Sequence, residues 1–120
     1  MTDNQNPSGE TLTWSQFEQV DMRCGTILEV TDFPKARRPA YKLLIDFGPV
    51  IGTRRSSAQI TTHYSKAELV NRQVIAVLNF PPKQIADFMS ECLVLGVYDE
   101  NSEVVLLGPG KPVTNGMKIG

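Results

Sequence analysis

The sequence predicts a mainly β, five-stranded domain with a short helix on its N-terminal side and an irregular C-terminal extension. Three observations carry that expectation. Apolar residues alternate from Val20 to Val30, broken in phase only by Thr26, and from Tyr41 to Phe47, a period of two that belongs to half-buried strands. Val74-Ile75-Ala76-Val77-Leu78 is apolar without a break, as in a strand covered on both faces. Between these runs stand Pro34 to Pro39, Gly48-Pro49, Pro81-Pro82 and Gly108 to Pro112, clusters that end regular structure.

The elements follow in chain order. Residues 1–11 are polar and read as a disordered leader, with the folded domain spanning 12–120. Thr13 and Gln16 have capping-box spacing. They open a helix from Trp14 to Gln19 that sets Trp14 and Phe17 on one face. So short a helix is unstable alone and needs a surface to cover. In the first strand Val20, Met22, Cys24, Thr26, Leu28 and Val30 are expected to face inward, with Gly25 marking a bulge or bend. A loop from Asp32 to Pro39 leads to a second strand, Tyr41 to Phe47. A third, Val50 to Ala58, pairs with it as a hairpin. Ser65 and Glu68 form another capping box, and a short helix runs to about Val70. The fourth strand is expected over Val74 to Phe80, a proline-broken loop over 81–91, and a fifth strand over Cys92 to Tyr98. A turn at 99–102, a sixth short strand from Val104 to Leu107 and a tail from Val113 complete the chain. Three strands, a helix and two strands is the order of a five-stranded OB-fold barrel.

Composition narrows the function. No apolar run approaches the ~20 residues that span a membrane, so no membrane insertion is expected. The N-terminus lacks the apolar core of a signal peptide. Cys24 and Cys92 are then expected to be reduced, buried thiols of a cytoplasmic protein. The net charge of −1 conceals a basic segment. Between positions 35 and 55, Lys35, Arg37, Arg38, Lys42, Arg54 and Arg55 face Asp46 alone. Such a patch attracts phosphates or acidic peptides.

Catalysis has no support in the pattern. His63 is the only histidine and has no Cys or His at ligand spacing, so neither metal nor cofactor is expected. Ser56 and Ser57 lie in no nucleophile elbow, and there is no Gly-rich phosphate loop. A binding surface has better candidates. Arg54 and Arg55 point to opposite faces of a strand, so one of them at most can border a groove with Lys42. Phe33, Tyr41 and Phe80 are the nearby aromatics, Tyr41 and Phe47 being the more core-like. Basic and stacking groups of this kind bind single strands on OB-folds.

The stretch Val20-Asp21-Met22-Arg23-Cys24-Gly25-Thr26-Ile27 resembles the opening of the EMAP II-like tRNA-binding domain, an OB-fold module also appended to some aminoacyl-tRNA synthetases. Asn79, a proline-containing loop and Ser90 eleven positions later resemble its second signature. The resemblance runs from about Phe17 to Lys118 and reads as a free-standing member. The stretches 33–43, 56–60 and 79–85 are similar to the family's bacterial, export-related chaperone branch. The resemblance implies a non-enzymatic, cytoplasmic homodimer that binds unfolded or preprotein peptide segments and keeps a residual affinity for tRNA, with a structure-specific tRNA-binding protein as the alternative. In the family the terminal elements build the two-fold interface. The implied ligand-binding set is Phe33, Arg37, Arg38, Tyr41, Lys42, Arg54, Arg55, Ser57, Asn79, Phe80 and Ser90, with Asn79 and Ser90 bonding backbone or ribose. This chain departs from the tRNA-binding pattern at Ile85-Ala86-Asp87, where Met-Arg-Gly is usual, and at Cys92-Leu93, where Gly-Met is usual. A lost cation and a gained anion weaken phosphate affinity and favour peptide over tRNA.

Overall fold

The computed structural model describes residues 10–120, so all but the last two residues of the expected leader lie outside the described residues. Glu10 and Thr11 are exposed and irregular. Helix α1 (Trp14–Glu18) begins at the expected capping box, with Thr13 and Gln16 each bonding the other's backbone N–H. Strands β1 (Met22–Asp32), β2 (Tyr41–Asp46) and β3 (Thr53–Ala58) follow, then α3 (Lys66–Leu69) and β4 (Gln73–Val77). A single helical turn, α2 (Gly48–Ile51), joins β2 to β3. Short strands complete the chain: β5 (Lys83–Ile85), β6 (Phe88–Ser90), β7 (Leu93–Val94), β8 (Gly96–Tyr98) and β9 (Val104–Leu106).

Five strands in the order β3-β2-β1-β4-β7, all antiparallel, curl into a nearly closed barrel of OB type. Ile27, Leu43, Ile45, Phe47, Leu69, Val74 and Ala76 fill it and are almost wholly shielded from solvent. Each large side chain in that set contributes roughly 1.5–3 kcal/mol by leaving water. The Ser65 capping box starts α3 as expected, and Leu69 from this turn closes one end of the core.

Several boundaries differ from the sequence expectation, each for a physical reason. The bulge in β1 lies at Leu28, where the register with β2 shifts between Ile27 and Glu29, and not at Gly25. The extra residue inverts the side-chain phase. Gly25 and Ile27 therefore face the core before the bulge and Val30 after it, while Leu28 is turned out. Gly25 serves close packing instead, since a Cβ there would stand 2.7 Å from the Phe47 ring. Pro49 and Val50 belong to α2, so β3 begins only at Thr53. Pro near the first position suits a helical turn and not a ladder. The fourth strand ends at Val77, ahead of Asn79 and Phe80. The stretch expected as a loop is a hairpin, β5 with β6, turned by Ala86 at φ 53° and Asp87. The expected fifth strand divides at Leu95. β7 completes the barrel on β4, and β8 leaves it to pair with β9.

The C-terminal segment is more than a tail. β2 pairs only with the second half of β1, which leaves an edge open along residues 22–25. Residues 116–119 cover that edge. Gly116 N–H donates to the Cys24 carbonyl, Cys24 N–H to Met117, and Ile119 N–H to Met22. Thr26 and Gln73 bond Asn115. The outer face beneath this segment, with Met22, Cys24 and Ile75, lines an apolar cleft of about 410 Å³. Trp14 projects from α1 and is 82% exposed. No helix among the described residues is long and apolar enough to cross a membrane.

Candidate ligand-binding site

The barrel is held least regularly where β3 meets β7. There is no ladder across this seam, and side chains with one backbone bond bridge it. Arg55 N–H donates to the Glu91 carboxylate at 2.9 Å, while Glu91 N–H donates to the Arg55 carbonyl at 2.7 Å. The buried Ser56 hydroxyl donates to the Cys92 carbonyl at 3.0 Å. Ser90 Oγ accepts the Ser57 amide at 3.2 Å and donates to the same Cys92 carbonyl at 3.3 Å. Proline and two short strands explain the irregularity, because Pro81-Pro82 prevents the chain after β4 from entering a ladder directly.

Beside the seam runs an open groove of about 1170 Å³. Its floor is apolar and includes Ala58, Ile60, Val94 and Leu106. One wall carries Phe80, Pro81 and Lys83, with Arg38 and Pro39 from the loop after β1. The opposite side is the β8–β9 hairpin with Tyr98, Asn101, Ser102 and Glu103. That hairpin is clasped to the barrel at two points. Leu106 N–H donates to Tyr64 Oη at 2.9 Å, and His63 Nε2 meets Asp99 Oδ2 at 2.7 Å. The amides of Glu103 and Asn101 point at the other Asp99 oxygen. Those amides, Glu103 first, with the His63 ring, hold the Asp99 carboxyl below its ordinary range.

The sequence candidates fall into three groups. Arg38, Ser57, Phe80 and Ser90 line the groove, and Phe80 is 56% exposed. Phe33, Lys42 and Arg55 meet on the outer face of β2 and β3. Lys42 Nζ lies 4.9 Å from the Phe33 ring centre, and Phe33 packs edge-on against Phe88 at 5.5 Å. Phe33 is only 4% exposed, so its ring has no free face for a ligand. The third group is structural. Tyr41 is buried and donates from Oη to the Tyr64 carbonyl at 2.9 Å. Asn79 accepts the Asp21 amide at 3.0 Å and donates to the Gln19 carbonyl at 2.6 Å. It thereby ties the end of α1 to the barrel. Arg54 shares the inward phase of Ser56, and its charge is felt at the Cys92 thiol. Arg37 is exposed and outside the groove.

Lys83, Glu91, Tyr98 and Phe88 were not among the candidates. An alternation through residues 83–90 around a turn-forming Ala86-Asp87 is the signal that would have found the first hairpin. The two cysteines are free and buried. Burial raises both thiols, Cys92 to about 11, so neither is a ready nucleophile at neutral pH. No cluster of metal-ligating side chains exists among the described residues.

Comparison with known proteins adds to this geometry. Residues 22–118 match the family described as "Putative tRNA binding domain". The chain belongs to this tRNA-binding-domain family. Among solved structures, this family member is similar to the chaperone CsaA of Bacillus anthracis str. Ames, with 45% identity and a TM-score of 0.86. It is also similar to the CsaA chaperone protein of Picrophilus torridus, with 52% identity and a TM-score of 0.85. In both cases 92% of this chain covers 100% of the other. Methionine–tRNA ligase of Porphyromonas gingivalis is 31% identical over 94% of this chain. The chain spans only 16% of that enzyme's length, so the match concerns a binding domain and not the whole ligase.

Proposed function

We propose that the protein is a non-enzymatic chaperone of the CsaA type that holds unfolded or preprotein peptide segments in the groove beside the β3–β7 seam. The observation that carries this reading is the groove itself: an apolar floor of Ile60, Val94 and Leu106 beneath a rim bearing Arg38 and Lys83. An extended apolar segment flanked by charge matches such a surface, and the exposed Phe80 supplies contact area at low entropic cost. Full-length similarity to two proteins described as CsaA chaperones supports the same reading. The working unit in this reading is a cytoplasmic homodimer. Trp14, Leu12, Val97 and Met117 are large apolar side chains left exposed, and a second copy would cover them. Two grooves on one dimer raise the effective concentration for a single long client.

The test is suppression of aggregation. A chemically denatured client is diluted with and without the protein, and light scattering is followed. Scattering should fall as protein is added, and Phe80→Ala with Arg38→Ala should weaken the effect several-fold. Unchanged scattering at a molar excess of protein defeats the reading. Sedimentation of the free protein tests the dimer separately.

A second reading is tRNA binding, favoured by the family match and by Arg37 and Arg38, both exposed and in no ion pair among the described residues. It requires an affinity that falls steeply with salt. A tRNA bound no better than an unstructured strand of equal length rules it out.

A further inference from the structure

One short hairpin engages three of the six cations in the basic segment. Asp87, at the connection between β5 and β6, places Oδ2 3.2 Å from Lys35 Nζ. Glu91, just beyond β6, lies 3.5 Å from Arg55 Nε. Phe88 on β6 has Lys42 and Arg55 each 5.4 Å from its ring centre. The Lys35 hydrogen bond first, and the fields of Lys35 and Lys42 after it, hold the Asp87 carboxyl below its ordinary range. The outer face of β2 and β3 is thus a cationic surface covered by a strand pair that brings its own anions.

From this geometry we infer that Asp87 and Glu91 are specificity-determining residues, which keep Lys35 and Arg55 from gripping phosphate and so direct the protein toward polypeptide. The inference rests on the groove reading above for the peptide, but not for the RNA. Nucleic acid is held mainly by cations that displace counterions from phosphates. A carboxylate fixed within the same chain competes with each phosphate at high effective concentration. An unfolded peptide in the groove meets none of this competition, because Lys35, Lys42 and Arg55 lie outside the groove lining. An exposed ion pair contributes little to stability, so fold stability alone gives a weak reason for Asp87, whereas Glu91 also accepts the Arg55 amide at the seam.

The experiment uses the full chain, wild type, Asp87→Asn, Asp87→Lys and Glu91→Gln, with circular dichroism to verify the fold. A fluorescein-labelled tRNA and a fluorescein-labelled peptide with an apolar centre and lysine ends are titrated separately by anisotropy over a range of salt. Asp87→Lys should raise tRNA affinity about tenfold at low salt and steepen the log–log salt slope by about one. Asp87→Asn and Glu91→Gln should give smaller rises in tRNA affinity, and the peptide affinity of the two Asp87 variants should stay within about twofold; Glu91 lines the groove, so its variant is read with tRNA alone. A folded Asp87→Lys protein with unchanged tRNA affinity and slope overturns the inference. So does peptide affinity that rises in step with tRNA affinity, since one shared surface would then serve both. A wild type that fails to bind the peptide defeats the groove reading, while the tRNA titration still decides the roles of Asp87 and Glu91.

Discussion

The two sides of this barrel are closed by different means. Between β1, β2, β3 and β4 the backbone pairs in long antiparallel registers, from Tyr41↔Ala58 to Asp46↔Thr53 on one flank and from Met22↔Val77 to Thr26↔Gln73 on the other. Between β3 and β7 the closure is made by Ser56, Ser57, Ser90 and Glu91. A continuous ladder pairs backbone along its whole length, whereas this seam has one backbone bond, Glu91 N–H to the Arg55 carbonyl, among its side-chain bridges. The groove lies on the second side. The laddered side thus carries the regular pairing, and the proposed binding groove lies beside the side-chain-bridged seam.

Three substitutions test that division, beginning with the largest effect. Phe47→Ala empties the core beneath the laddered side and should cost about 3–5 kcal/mol. Denaturant unfolding should remain a single transition, and a partial loss confined to one probe would contradict a ladder that unfolds as a unit. Ser56→Ala removes a buried hydroxyl from the seam and should cost about 1 kcal/mol, because Ser90 still serves the Cys92 carbonyl. Hydrogen exchange should quicken at the amides of Ser57 and Glu91 but not at those of Leu43 and Ala76. Equal acceleration everywhere would mean that the seam is no separate region.

Asp99→Asn is the smallest of the three and reports on the hairpin wall. The Asp99 carboxyl is depressed by its amide partners and His63. A depressed carboxyl contributes stability that is full above the ordinary carboxylate range and is lost as pH falls through the lowered value. The wild type should exceed Asp99→Asn in melting temperature at neutral pH, and the gap should close in acid. A gap that persists in acid would place the effect outside the carboxylate's charge.

Local pattern sufficed for much of this protein. The two capping boxes, the unbroken Val74–Val77 strand, the β2–β3 hairpin and the buried Tyr41 and Phe47 were legible because each depends on neighbours within a few residues. The Asn79 and Ser90 signature was legible as a family mark, yet its local role was not. Both residues bond backbone far away in the chain, Asn79 at residues 19 and 21 and Ser90 at Ser57.

Composition and periodicity by themselves determined a mainly β barrel with a basic segment between Lys35 and Arg55. Tertiary structure alone decided where those cations point and what holds them. A single extra residue at Leu28 inverted the phase of β1, and no periodicity count registers a bulge before its partner strand is known. The side-chain groups opposite Lys35 and Arg55 come from Asp87 and Glu91, 52 and 36 positions along the chain. Charges so separated in sequence meet only once the barrel has brought β3 beside the 83–91 hairpin.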